Sequence, residues 1–133
     1  MKKLILISLG LLLSCTAIAH ENPDIKGVCA NVVNNKLIQA KKCVISSGGG
    51  AGGMYTVLNF GKTKVHIEES TMCPEYDTKG CNPSVGRTVE DLDDGQRYYR
   101  DYKTGNIIKS YKDGNWSCAK SNDKKIDACY LLK

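Results

Sequence analysis

Hydrophobic positions in this chain form one continuous block, followed by a series of short alternating segments. The block, Leu4 to Leu13, carries no charge and follows Met1, Lys2 and Lys3, the charged n-region and apolar h-region of an export signal. It has about half of the roughly 20 residues that a membrane-spanning helix needs, so residues 1–19 read as a signal peptide. Residues 20–27 are polar, with Pro23 and Gly27, and suit a flexible lead-in to a single domain over 28–133.

Within that domain the pattern has the period of a β-strand. Tyr55 to Glu69 alternates around Gly61-Lys62, a two-residue turn with glycine first, as a type II′ hairpin prefers. Such a turn sets Leu58 opposite Val65 and Thr56 opposite Ile67. Leu58, Phe60, Val65 and Ile67 then share one face, while Asn59, Lys64, His66 and Glu68 share the other, wet one. Upstream, Val32, Val33, Leu37 and Ile38 flank Asn34-Asn35, a pair that tolerates left-handed backbone and marks the turn of another hairpin.

The C-terminal third is punctuated by Thr104-Gly105 and Asp113-Gly114. Four strand-like runs result: Arg97 to Tyr102, Asn106 to Tyr111, Asn115 to Lys120 and Ile126 to Leu132. Tight turns would set Tyr98 against Tyr111, Tyr111 against Trp116, Tyr102 against Ile107, and Cys118 against Cys129, all on one face with Leu131. A one-residue slip would scatter the aromatics to both faces. Thr88 to Asp94 suits one short helical turn, with Thr88 as N-cap and Asp91 answering it. The pattern therefore predicts an all-β, β-dominated domain: a small antiparallel sandwich or partly open barrel with a C-terminal four-stranded meander.

Composition adds the staples. Setting Cys15 aside, the seven cysteines leave an even set: Cys29, Cys43, Cys73, Cys81, Cys118 and Cys129. In a small exported domain that set reads as three disulfides. Neighbours within a hairpin or turn pair most directly, giving Cys29–Cys43, Cys73–Cys81 and Cys118–Cys129. Export places the chain in the periplasm or cell envelope of a bacterium. Two processing readings compete there: cleavage after Ala19, behind Ala17-Ile18-Ala19, and lipidation at Cys15, because Leu12-Leu13-Ser14-Cys15 resembles a lipobox. In the second reading the product is an outer-membrane lipoprotein, and that anchor is its membrane contact.

Charge and motifs exclude more than they assign. Loss of residues 1–19 removes Lys2 and Lys3 and leaves 17 basic residues against 14 acidic ones, a net charge near +3. That fits attraction to acidic partners or an anionic surface, and equally a solvated surface of mixed charge. Catalysis of the Ser-His-Asp or Cys-His kind needs a placed histidine, and the mature chain has His20 in the lead-in and His66 on a wet face. No cysteine spacing suits zinc, and Asp91 to Gly95 misses the ligand spacing of an EF-hand. Nucleic acid is not expected in this compartment. Gly48, Gly50 and Gly53 match G-x-G-x-x-G, but a dinucleotide site needs a strand before and a helix after, so Ser46 to Gly53 reads as a flexible or tightly turning loop. No cofactor is implied.

Ala51-Gly52-Gly53-Met54-Tyr55, ahead of a β-hairpin, resembles the S-G-x-x-Y loop of periplasmic and lipid-anchored c-type lysozyme inhibitors over those five residues. Ala51 stands where that loop has serine, and the basic balance differs from what a basic lysozyme would favour, so no family is assigned. The expectation for function is a non-enzymatic envelope protein that binds and neutralises a protein partner, of the inhibitor or immunity type. A structural or adhesive component, and a small hydrolase using Glu68 or Glu90, are the alternatives. The binding elements expected are Ser46 to Gly53 and Glu75 to Lys79, with Gly52, Gly53, Tyr55, Tyr76 and Arg87 as contact residues.

Overall fold

The computed structural model describes residues 20–73 and 81–133. Residues 1–19 and 74–80, and with them the signal segment and Tyr76, lie outside the described residues. The elements are β1 (His20–Glu21), β2 (Ile25–Val33), β3 (Lys36–Gly50), β4 (Gly53–Phe60), β5 (Thr63–Ser70), β6 (Ser84–Gly86), β7 (Asp93–Arg100), β8 (Ile107–Ile108), β9 (Trp116–Ser121) and β10 (Asp127–Leu132). No helix occurs among the described residues.

Every pairing is antiparallel, in the order β3-β2-β10-β9-β7-β6-β5-β4, and β4 pairs back onto β3. Eight strands thus close a barrel, with β1 and β8 outside the ring. The turn chemistry sets the registers. Asn34 and Asn35 both take positive φ, 48° and 61°, and Val33 faces Lys36 across them. Gly61 takes φ 69°, so Leu58 faces Val65 and Thr56 faces Ile67, as the alternation predicts. The segment 20–27 is not a loose lead-in: His20 and Glu21 pair with Gly49 and Gly48, and β2 begins at Ile25. Thr88 and Asp91 do bond, with Thr88 N donating to the Asp91 carboxylate at 2.7 Å, but the turn they close does not continue into a helix.

The lumen holds Leu58, Phe60, Val65 and Ile67 together with Ile45, Val85 and the Cys29–Cys43 bridge. Each large apolar side chain buried there contributes about 1.5–3 kcal/mol. A second core sits on the outside of the β7-β9-β10-β2 wall, built from Trp116, the Cys118–Cys129 bridge, Leu131 and Ala30, with Val28, Val32, Leu37 and Tyr98 against it. Cys118 faces Cys129 directly, 4.0 Å apart at Cα. Cys73–Cys81 forms the third bridge.

The outer core exists because the β2–β3 hairpin bends over it. Pairing jumps from Cys29 opposite Lys41 to Asn31 opposite Ile38, a bulge that strengthens the twist, with Gln39 at φ 53°. Arg100, 2% exposed, then fastens the hairpin tip: its guanidinium donates to Asn35 O (3.1 Å), Asn35 Oδ1 (2.6 Å) and Gly105 O (2.9 Å), and it lies 5.2 Å from the Tyr98 ring.

The four C-terminal runs are neighbours in the sheet, but their order is β8-β7-β9-β10, not sequential. β9 pairs with β7 over six residues, Gly95 to Arg100, and this ladder buries Tyr98, Cys118 and Trp116 against the outer core. Asn106 to Tyr111 is left with a two-residue strand on β7's other edge. Tyr98, Trp116, Cys118, Cys129 and Leu131 therefore share a side as expected, whereas Tyr102, Ile107 and Tyr111 do not and are exposed. Tyr111 instead packs on Tyr99, ring centroids 5.4 Å apart.

Two outcomes are expected. Arg100→Met should lower urea-unfolding stability by about 2–3 kcal/mol, since charge-assisted hydrogen bonds are lost from a buried site, and should open the chain to proteolysis near Asn34-Asn35. Asp127 accepts a hydrogen bond from Tyr98, and burial raises its pKa above the ordinary 3.8. A raised carboxylate pKa favours the folded state at low pH and loses that contribution as pH rises through the folded value. The stability of Asp127→Asn relative to the native chain should therefore climb from about pH 4 upward and then level off.

Candidate functional site

The glycine-rich segment is mostly strand, which corrects the loop expected over Ser46 to Gly53. Gly48, Gly49 and Gly50 pair with Tyr55, Met54 and Gly53, and the turn is only Ala51-Gly52, with Gly52 at φ 87°. Gly48 is required by close approach: a Cβ there would fall 2.6 Å from both His20 O and Tyr55 Oη. The missing side chain lets β1 pair with β3 and lets the Tyr55 ring lie across the strand.

Alternation then decides which neighbours reach the surface. Because Leu58 and Ile67 point into the lumen, Tyr55 and Glu68 point outward. Register extends that outward row across the wall as Glu21, Gly48, Tyr55, Glu68, Ser84 and Asp94. A cleft of about 610 Å³ lies where this row meets the end of the β4–β5 hairpin, bordered by Tyr55, Glu68, Ser84 and Asp94 and also by Met54 and the partly exposed Glu69. A second cleft of about 610 Å³ lies on the other flank of the hairpin, beside His20 and Thr71. Met54 and Met72 stand exposed at the hairpin end, 53% and 79%.

Glu69, one residue from Glu68, has the opposite fate. It points inward, where Arg97 from β7 grips both its oxygens at 2.8 and 2.7 Å. Arg97 also donates to Ser117 Oγ and Tyr130 Oη. Burial opposes the Arg97 charge, but Glu69 and the Tyr130 hydroxyl outweigh it and hold the guanidinium pKa above its ordinary value. Glu69 is thus committed to structure, while Glu68 and Asp94 make no ion pair among the described residues.

Of the contact residues expected from sequence, the fold brings Gly52, Gly53 and Tyr55 together. Arg87 lies elsewhere: it is exposed beyond β6 and donates to Lys64 O at 3.3 Å. Tyr76 and the Glu75 to Lys79 segment lie outside the described residues. Sequence reasoning did not select Met54, Met72, Ser84 or Asp94 for binding. The alternation that put Glu68 on the wet face could have found Tyr55 beside it, but Ser84 and Asp94 join only through the β5-β6-β7 registers. Glu90, the other carboxylate considered for hydrolysis, is exposed in the turn after β6, away from the cleft residues. Among the described residues no group of three or more His, Cys, Asp or Glu could hold a metal ion.

The chain matches no protein-family model, no curated protein and no solved structure.

Gly48→Val should displace Tyr55 and strip β1 from β3, costing about 1–3 kcal/mol as overpacking does. The expected signature is faster hydrogen exchange confined to His20, Glu21 and Gly48 to Tyr55, with the lumen amides still protected.

Proposed function

We propose that the chain is a non-enzymatic binding protein of the bacterial cell envelope, of the inhibitor or immunity type, that neutralises a protein partner in the periplasm. Three disulfides at bonding distance are consistent with an oxidising, exported environment. The observation that carries the reading is the hairpin end itself: exposed Met54 and Met72, with Tyr55 and the carboxylates of Glu68 and Asp94, which make no ion pair among the described residues, alongside on a closed barrel. Methionine adapts to irregular surfaces, tyrosine is enriched at binding hot spots, and a stapled scaffold limits the ordering cost of docking.

Local charge refines the partner. The net charge near +3 would by itself favour an acidic surface, but the carboxylates at this cleft favour a basic one.

Immobilised oxidised domain should retain a protein from envelope extracts or from secretions of neighbouring cells, and the reduced domain should not. Tyr55→Ala and Glu68→Gln should each weaken that complex about tenfold or more, a loss of about 1.4 kcal/mol or greater, while Arg87→Ala changes it less than about twofold. Equal capture by oxidised and reduced forms, or variants that bind as the native chain does, would end the proposal. Turnover of peptidoglycan fragments abolished by Glu68→Gln would replace it with the hydrolase.

A further inference from the structure

The outer wall formed by the first residues of β2, the later part of β3, β4 and β5 is not covered by the second core, and its register sorts charge into rows. Alternate residues on a strand share a face and lie about 6.6 Å apart. One row reads Lys26, Val44, Asn59 and Lys64 across β2, β3, β4 and β5. The next reads Ser46, Val57 and His66, half-buried and free of acidic or lysine side chains. The third is Glu21, Gly48, Tyr55 and Glu68. Lys26, Lys64, Glu21 and Glu68 are exposed and make no ion pair among the described residues. A basic row and an acidic row thus run parallel, about 13 Å apart, with a neutral row between.

Such a face is complementary to itself. A two-fold axis lying along the neutral row would turn a second copy so that each column meets its own opposite: Lys26 over Glu21, Val44 over Gly48, Asn59 over Tyr55 and Lys64 over Glu68. Small meets larger in the Val44–Gly48 column, and amide meets phenol in the Asn59–Tyr55 column. His66 meets itself on the axis. We propose that two copies of this chain form an isologous dimer through this wall. No partner enters the inference, and because the dimer covers Tyr55 and Glu68, self-association and the partner complex proposed above would compete for one surface. The three rows offer 4, 3 and 4 residues a side, fewer than the roughly 20–30 of a standard stable interface, so the dimer is weak, with a Kd between about 10 µM and 1 mM at low salt. It is also electrostatic, and shortening the Debye length from about 10 Å at 0.1 M salt to about 3 Å at 1 M dissociates it.

Sedimentation velocity on the oxidised, mature protein tests this. At 50 mM salt the native chain should shift from monomer toward dimer as concentration rises to about 1 mM, and return to monomer at 1 M salt. Lys64→Glu alone places carboxylates opposite Glu68 in both columns, and Glu68→Lys alone places ammonium groups opposite Lys64. Each variant should be monomeric, with a circular dichroism spectrum like the native one. Mixed in equal amounts, the two should associate again, because every reversed charge then faces its opposite. A native chain that stays monomeric at 1 mM would overturn the proposal. So would a dimer indifferent to salt and to both substitutions, or a mixture that fails to associate. A monomeric chain that binds phosphatidylglycerol vesicles, and loses them on Lys64→Glu, would assign the basic row to an anionic membrane instead.

Discussion

Strand β3 closes the barrel, and its 15 residues answer to three different partners. The first part pairs with β2, the last part pairs with β4, and its end also carries β1. Strands in a closed barrel must tilt and stagger, so a strand at the closure slides out of one partnership into another along its length. This explains its uneven composition. The mixed stretch Lys36 to Lys42 includes the bulge at Gln39, which bends the hairpin outward. Cys43 and Ile45 alternate into the lumen. Gly48 carries no side chain where β1, β4 and the Tyr55 ring crowd together.

The bend at the bulge divides the outer wall into two halves with different work. On the β7-β9-β10-β2 side it brings Val32 and Leu37 over Trp116 and the Cys118–Cys129 bridge. That wall is covered on both faces, which is why Cys118 and Ala119, or Ala128 and Cys129, are buried as consecutive pairs. The cost of sequestering the Arg100 charge is offset by three carbonyl acceptors and the Tyr98 ring. Its Nε is the buried side-chain nitrogen left without an acceptor among the described residues. On the other side no segment of the described chain folds over the wall, so its alternating polar residues stay in water.

Legibility from sequence follows this division. Where a tight turn joins two strands with one wet face, alternation is enough: the β4–β5 register and the inward set Leu58, Phe60, Val65 and Ile67 were readable from Gly61-Lys62 outward. The Cys118–Cys129 pairing was readable because the β9–β10 hairpin is local. The direct β7–β9 ladder was not, since two turn signals, Thr104-Gly105 and Asp113-Gly114, bracket a run that looks like an intervening strand. What decides there is burial of Tyr98 and Trp116 beneath a hairpin about 65 residues away in sequence, and no local pattern encodes that contact. The glycine-rich segment misled in the opposite sense. Five glycines suggest mobility, yet a glycine strand is stable when both its edges are paired.

The adjacent carboxylates Glu68 and Glu69 show how the barrel separates stability from recognition. Chemically alike and one residue apart, they are sent to opposite sides of the wall by a period of two. The inward one meets Arg97, which bridges it to Ser117 and Tyr130 on the far strands, so that its charge is neutralised and its geometry fixed. The outward one stands beside Tyr55 with no ion-pair partner among the described residues. A slip that put Ser70 in the place of Glu69 would turn Glu68 into the lumen and leave Arg97 unanswered, and the opposite slip would turn His66 and Lys64 inward, either at a cost of several kcal/mol. The Arg97–Glu69 grip therefore pins the β5 register, and by pinning it keeps Glu68 and Tyr55 presented on the same row. The interaction that holds the wall together is in this way also the one that aims the surface the protein offers to others.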